Sequence, residues 1–171
     1  MNHIIRATVD HINQLTEIAR ICFLDAHGSS APEEDIEGYM AKYFNRNAFL
    51  QELKNPENQY YLIYDANKLA GYSKIVFSIP NENIDEQPIA KLERFYLLKA
   101  FYGKGLAAEL LHFNRKIAQE DHQRGIWLAV WIENHRAIKF YTKNNFRKVG
   151  SYDYQISATH ANPNHIMYLS F

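Results

Sequence analysis

The hydrophobic positions near the start of the chain recur at three- and four-residue steps, which is the spacing of one buried helix face. The residues on this stripe are Ile12, Leu15, Ile18, Ala19 and Cys22. Asp10 stands just before the stripe and can cap a helix start, while residues 4–9 are short and partly β-branched. The pattern therefore predicts a strand followed by a helix.

Two further helices are predicted in the first third of the chain. Pro32 precedes a run of acids at 33–35, which is typical of a helix start because acids complement the positive end of the helix dipole. That helix would run through residues 39–44. A shorter helix over 49–53 would end near Asn55, because the residue before a proline avoids the α region.

Aromatic and β-branched residues dominate the middle of the chain. Residues 60–64 and 70–79 have the composition of two strands, and the turn residues at 65–68 between them predict a hairpin. Another strand is predicted over 90–98, after a loop bracketed by prolines.

A helix and then a buried strand follow. From Gly103 an apolar stripe predicts a helix that Gly125 would break. Residues 126–131 are almost continuously apolar, as expected for a strand that is covered on both faces.

The last part of the chain predicts one more helix and two closing strands. Asn134 can cap a helix that runs to about Asn144, and residues 146–156 and 166–171 have strand composition. The complete order predicts an α/β architecture in which a sheet carries helices on both faces.

Composition and charge narrow the class of protein. A chain of 171 residues fits one domain, spanning 1–171. Hydrophobic residues make up 47% and charged residues 22%, which is the balance of a globular protein and not of a disordered one. Basic and acidic residues number 19 each, so no overall field would attract the chain to nucleic acid or to an anionic membrane.

Cysteine usage and the N-terminus bear on the compartment. Cys22 is the only cysteine, which excludes an intramolecular disulfide and fits a reducing compartment. The N-terminus has no basic segment followed by a long apolar run, and no stretch approaches the ~20 apolar residues of a membrane span. We therefore expect a cytoplasmic protein that is neither exported nor inserted into a membrane.

The sharpest chemical signal is the glycine turn, residues 103–105, that opens the predicted helix. Gly103 and Gly105 have no Cβ to block a ligand, and a helix start presents unpaired N–H groups with a partial positive charge. Lys104 adds a mobile cation. A phosphate or diphosphate would fit such a turn, and a plain tight turn is the alternative that these residues leave open.

The same residues satisfy a dinucleotide-binding pattern, G-x-G-x-x-A over 103–108, with Glu133 as the acid that would bind a ribose. The spacing disfavours this interpretation, because Glu133 lies 30 residues past Gly103 where about 20 are usual. Four residues also separate Leu98 from the first glycine, and the predicted hairpin interrupts the alternation of strands and helices that a doubly wound sheet requires.

Two segments in the right order resemble the GNAT superfamily of N-acetyltransferases. Residues 102–107 are similar to its acetyl-CoA signature, Q/R-x-x-G-x-G/A, with Tyr102 where Gln or Arg is usual. Residues 134–146 resemble its N-x-x-A-x-x-F-Y-x-K-x-G-F segment, with Asn145 in place of the glycine. Asn also tolerates the left-handed conformation of a helix end. Other segments, at 49–56, 69–74 and 126–131, are similar to PaiA-type bacterial spermidine/spermine acetyltransferases.

The resemblance implies a fold, a cosubstrate and a set of contacts. The fold would be the α+β GNAT fold with a mostly antiparallel central sheet, and the cosubstrate would be acetyl-CoA. The backbone at Leu97 and Leu98 would lie along the pantetheine, and the region of Leu98 would supply the oxyanion donor. Asn134 would contact the pantetheine amide and Lys143 the phosphates. The remaining cofactor-binding residues that the resemblance implies are Tyr102, Gly103, Lys104, Gly105, Leu106 and Ala107.

Amine acetylation requires a base and an acid. A lysine-like amine has a pKa near ~10.4, so its neutral form costs about 4 to 5 kcal/mol at pH 7. Glu93, on the strand that leads to the turn, is the candidate base, directly or through a water, and a solvated residue or an ion pair with Arg94 is the alternative. The resemblance implies that Tyr141 protonates the leaving thiolate, whereas the sequence pattern alone would make it a core tyrosine beside Phe140.

Three functions follow from these residues. The first is acetyl transfer from acetyl-CoA directly to the primary amine of a small molecule, such as a polyamine. The second is acetylation of protein N-termini or lysines, and the third is a non-catalytic acyl-CoA-binding sensor. Tyr141 favours an enzyme over a sensor, and the aromatic helical third favours a small, closed pocket over a peptide groove. No metal site is predicted, because the histidines show neither H-x-H nor H-E-x-x-H spacing. The sequence is compatible with a homodimer as well as with a monomer.

Overall fold

The computed structural model describes residues 2–171, which form seven strands and five helices. The strands are β1 His3–Arg6, β2 Gln59–Asp65, β3 Lys68–Val76, β4 Ala90–Leu97, β5 Gly125–Trp131, β6 Arg147–Gln155 and β7 Ala161–Ser170. The helices are α1 Ile12–His27, α2 Glu33–Tyr43, α3 Arg46–Lys54, α4 Leu106–Glu120 and α5 His135–Lys143. Short 3-10 turns occur at Val9–His11 and Lys99–Phe101.

The strands form one sheet in the order β1-β2-β3-β4-β5-β7-β6. Neighbouring strands are antiparallel except for β4 and β5, which are parallel. The predicted mixed and mostly antiparallel sheet is therefore confirmed. The same topology excludes the dinucleotide-binding interpretation of the glycine turn, because a doubly wound fold needs a largely parallel sheet.

Alternation along β2 shows why helices cover both faces of the sheet. Tyr60, Leu62 and Tyr64 pack into the core shared with α1, α2 and α3. Tyr61 and Ile63 point to the opposite face, where their clusters include residues of α4. Successive side chains of a strand point to opposite faces, so β2 contributes to both cores. The predicted helices on both faces are confirmed.

The first three helices lie close to their predicted positions. The residues of the stripe on α1 are all buried, α2 begins directly after Pro32, and α3 ends at Lys54. The cap predicted at Asp10 is wrong, because Asp10 lies inside the 3-10 turn that Thr8 caps, and His11 stands at the N-cap position of α1. The first strand ends at Arg6 and not at residue 9. None of the helices in residues 2–171 combines the length and the apolar character needed to cross a membrane.

Other element ends also differ from the prediction. β3 ends at Val76 and not near residue 79, since Ser78 adopts a positive φ of 55°. α4 ends at Glu120, before Gly125, because a turn with His122 at φ 59° follows it. β7 begins at Ala161, five residues before the predicted start at residue 166. The prolyl and asparaginyl residues there obscured the strand pattern.

Candidate active site

The candidate site lies where β4 and β5 separate. Only two residue pairs of the described chain join these strands, Ala90 with Ile126 and Lys91 with Trp127. Beyond them the strands diverge and leave a cavity of about 770 Å³, which we call the cleft. The glycine turn and α5 line one end of the cleft, and we call the other end, lined by residues of α1, α2 and β6, the acceptor end.

The glycine turn is built to receive a ligand. Gly103 and Gly105 have positive φ values of 77° and 82°, a conformation that side-chain-bearing residues rarely adopt. Apart from the glycine itself and its neighbours along the chain, no heavy atom lies within 4 Å of where a Cβ would stand on Gly103 or Gly105, so the space in front of the turn is open. Gly105 is the N-cap of α4 and no side chain caps that helix, which leaves its first amides free to bind a phosphate group. The residues present therefore fit the diphosphate of acetyl-CoA.

The backbone of Leu98 cannot act as the predicted oxyanion donor in this conformation. Its amide donates to the carbonyl oxygen of Ala70 at 2.9 Å, so it belongs to the ladder between β3 and β4. Adjacent residues of a strand direct their N–H groups to opposite edges. Leu97, which pairs with Gly71 in the neighbouring register position, therefore directs its amide away from β3 and towards the cleft. The structure moves the candidate donor from Leu98 to Leu97.

Arg136, a residue that was not predicted from the sequence, contacts Tyr102. The guanidinium carbon of Arg136 lies 3.6 Å from the centre of the Tyr102 ring, and both side chains line the cleft beside the glycine turn. A guanidinium on an aromatic face is held by a cation–π interaction. Arg136 therefore brings a positive charge to the place where the family usually has Gln or Arg at position 102.

The remaining residues predicted to bind the cofactor fall into two groups. Leu97, Leu106, Ala107 and Asn134 line the cleft. Asn134 also caps α5, because its side-chain oxygen accepts from the Ala137 amide at 3.2 Å.

Leu98, Lys104 and Lys143 are not among the cleft-lining residues in the described chain. The Nζ atom of Lys104 lies 3.4 Å from the Asp65 carboxylate. Lys143 ends α5, whose nine residues place it about 13 Å along the helix axis from the Asn134 cap. The structure therefore does not bring these two lysines into the cleft.

Glu93 occupies a β-bulge at the cleft wall. Lys74 pairs with Arg94 and the next residue of β3, Ile75, pairs with Leu92, so Glu93 is the extra residue on β4. A bulge re-aims a side chain and is frequent beside active sites. The Glu93 carboxylate lies 3.0 Å from Lys74 Nζ, which corrects the sequence-based alternative of an ion pair with Arg94.

Lys74 and Arg94 neutralise the charges of two carboxylates, Glu52 and Glu93, at the wall of the cleft. The buried Nζ atom of Lys74 also lies 2.8 Å from Glu52, and Arg94 lies 3.5 Å from the same carboxylate. Burial raises the pKa of Glu52, but the charges of Arg94 and Lys74 outweigh it and hold that pKa below its usual value. The cluster therefore carries two positive and two negative charges.

Tyr141 is buried in the cleft wall. It packs against Phe95 and Phe146, with ring centres 6.2 and 5.4 Å apart. Burial raises its pKa well above the ordinary value of a tyrosine, with a further rise from Tyr96 and an opposing effect of Arg136. The phenol therefore stays protonated at neutral pH, as a proton donor must.

Contacts between distant parts of the chain link the walls of the acceptor end. The hydroxyls of Tyr39 on α2 and Tyr154 on β6 are hydrogen-bonded to each other. Asn162 on β7 donates to the Ser30 hydroxyl at 2.7 Å, and His160 lies 3.0 Å from the Ser30 carbonyl oxygen. The segment joining α1 to α2 is thus tied to the β6–β7 hairpin.

These features define a class of enzyme. The sequence model of the acetyltransferase (GNAT) family matches residues 12–146. The chain therefore belongs to the GNAT family, and it is an acetyl-CoA-dependent N-acetyltransferase. The resemblance seen in its motifs is confirmed.

Particular relatives agree with this assignment. An uncharacterised N-acetyltransferase of Lactobacillus delbrueckii subsp. lactis is 27% identical over 146 residues, which cover 85% of this chain and 84% of the relative. The crystal structure of the PaiA N-acetyltransferase from Thermoplasma acidophilum in complex with coenzyme A has a TM-score of 0.75 and 20% identity, covering 100% of this chain and 99% of that one. The ribosomal-protein-S18-alanine N-acetyltransferase of Escherichia coli has a TM-score of 0.71 and 15% identity, covering 99% and 94%. At these identities the two structures establish the fold.

Proposed function

We propose that this enzyme transfers the acetyl group directly to the primary amine of a small molecule. The observation that carries the proposal is the pair of links across the acceptor end. The bond between Tyr39 and Tyr154 and the contacts of Ser30 with the β6–β7 hairpin tie the segment between α1 and α2 to that hairpin. An acceptor end restricted in this way supports a small acceptor over an extended peptide.

The end of the cleft that the glycine turn and α5 line, which we call the cosubstrate end, provides positive charge and amide donors. The first amides of α4 and the guanidinium of Arg136 would bind the phosphates, and the exposed Lys104 and Lys143 would act on phosphates outside the cleft. Asn134 would donate from its side-chain amide nitrogen to the pantetheine. When bound, acetyl-CoA supplies a thioester whose C–S bond breaks as the amine forms its C–N bond. The Leu97 amide would stabilise the negative charge that develops on the acetyl oxygen.

Glu93 would accept the proton that the amine loses, directly or through one water. Its position in the bulge, on the wall of the cleft between the two ends, supports this role. Lys74 fixes the carboxylate in place through the ion pair at 3.0 Å. A base held in one position reduces the reorganisation needed during proton transfer.

Tyr141 would donate its phenolic proton to the sulfur that leaves. The raised pKa of Tyr141 keeps its proton available for donation. Tyr141 lies on α5, and the first turn of that helix lines the cosubstrate end. Cys22 also lines the cleft, but burial, with a smaller effect of Asp25, raises its pKa to about 12. A thiol of that pKa is not a competent nucleophile at pH 7, which supports direct transfer over an acetyl-cysteine route.

The test is the rate of CoA release from acetyl-CoA with small primary amines and with short peptides bearing a free N-terminus. Small amines should release CoA with a kcat/KM at least about tenfold above any peptide, because the tied hairpin excludes the peptide backbone. The family resemblance suggests spermidine as one member of the panel. Preferential turnover of peptides would contradict a small acceptor, and so would acetyl-CoA binding without turnover of any small primary amine.

A further inference from the structure

Aromatic side chains from five elements form the walls of the acceptor end. They are Phe23 and His27 of α1, Tyr39 of α2, Tyr96 of β4, Trp131 of β5 and Tyr154 of β6. The rings of Phe23 and Tyr39 are stacked with centres 5.2 Å apart, and His27 lies 6.0 Å from Trp131. Walls of this composition favour a flat apolar group, which can stack on them or meet them edge to face.

The charged side chains that line the cleft carry no net negative charge. Glu82 and Glu93 are outnumbered by Lys91, Arg94 and Arg136. The Glu93 carboxylate is in addition already paired with Lys74. The described lining therefore has no excess of negative charge that would hold a ligand with several ammonium groups.

Two polar rings of this wall, those of His27 and Tyr96, are also uncharged at neutral pH. Burial lowers the pKa of His27 to about 4, so its imidazole is neutral. Its Nε2 atom lies 3.2 Å from the hydroxyl oxygen of Tyr96. Burial raises the pKa of Tyr96 well above its usual range, and the charge of Arg94 opposes only part of that rise. The pair offers hydrogen bonds without adding charge.

We propose that the acceptor is a primary amine attached to a flat aromatic scaffold, and not a polyamine. This inference rests on the proposed acetyl transfer and specifies its substrate class. A single amine entering neutral, aromatic surroundings loses its proton more readily, which the reaction requires. The further ammonium groups of a polyamine would remain charged, and each would lose hydration in a cleft where Glu93 is already paired with Lys74 and the cations outnumber the carboxylates.

Three amines of different character test the proposal on the wild-type enzyme. Phenethylamine is the aromatic probe, hexylamine is a matched aliphatic monoamine, and spermidine is the polycation. With acetyl-CoA saturating, CoA release should give phenethylamine a kcat/KM about tenfold or more above spermidine, because the distal ammonium groups lack partners. Hexylamine should fall between them.

Trp131→Leu is the matched variant, since it removes an aromatic wall and keeps an apolar side chain. Its kcat/KM should fall about tenfold for phenethylamine and less than about threefold for hexylamine. The thermal shift caused by acetyl-CoA, which binds at the other end, should be unchanged. If kcat/KM for spermidine equals that for phenethylamine, the aromatic assignment is wrong, whereas the proposed acetyl transfer still holds. Failure of all three amines in the wild-type enzyme would instead contradict the proposed function.

Discussion

The partly buried His27 should make the stability of this enzyme depend on pH in a defined window. Its folded pKa is about 4, below the ordinary value of 6.5, so the unfolded chain binds the proton more tightly. The stabilising effect of the neutral ring is therefore complete above pH 6.5 and is lost as the pH falls towards 4. Without solvent screening this difference corresponds to about 3 to 4 kcal/mol of unfolding free energy. Because the ring is only partly buried, screening reduces the expected loss to about 2 to 3 kcal/mol.

His27→Gln keeps a polar side chain at this position and removes its titration. Urea unfolding at a series of pH values between 7 and 4 should show wild-type protein losing about 2 to 3 kcal/mol more than the variant. His112→Gln, on the exposed face of α4, is the control and should follow the wild-type curve. Parallel curves for wild-type and His27→Gln would refute the assignment of a neutral, buried imidazole at this site.

Three substitutions test the cosubstrate end and the chemistry. Tyr141→Phe keeps the packing and should lower kcat about 10² to 10⁴-fold while KM for acetyl-CoA changes less than about threefold; an unchanged kcat would remove the phenol from the reaction. Gly105→Val should weaken acetyl-CoA binding, measured by calorimetry, at least about tenfold, because φ is +82° and the side chain would fill the open space in front of the turn. Gly38→Ala in α2 is the control, and it should bind acetyl-CoA normally because nothing lies near the position of its Cβ. Cys22→Ala should release CoA at a rate within about threefold of wild-type. A loss of CoA release in this variant would support a cysteine nucleophile.

Local features of the chain were predictable, because they depend on neighbouring residues. The stripe on α1, the start of α2 after Pro32 and the Asn134 cap of α5 each follow from spacing within a few positions. The glycine turn was recognised for the same reason. Its conformation is set by Gly103 and Gly105 themselves.

The acceptor end could not be predicted, because it is assembled from distant segments. His27 lies just past the α1 stripe, and only the fold brings it to Tyr96, 69 positions away. The bulge at Glu93 depends on the register between two strands, and its Lys74 partner lies on the neighbouring strand. Arg136 lies inside the motif that begins at Asn134, so the sequence contained a signal near it. The motif specifies no residue at that position, and Arg136 was therefore not predicted.

The divergence of β4 and β5 leaves the sheet incomplete at its centre. The inner edges of both strands expose peptide groups that no neighbouring strand satisfies beyond Lys91 and Trp127. A ligand that carries its own amides, as pantetheine does, can occupy this gap as a substitute strand. The cosubstrate would then contribute to the architecture as well as to the reaction. Amide hydrogen exchange along the inner edge of β4, including Leu97, should slow on its addition.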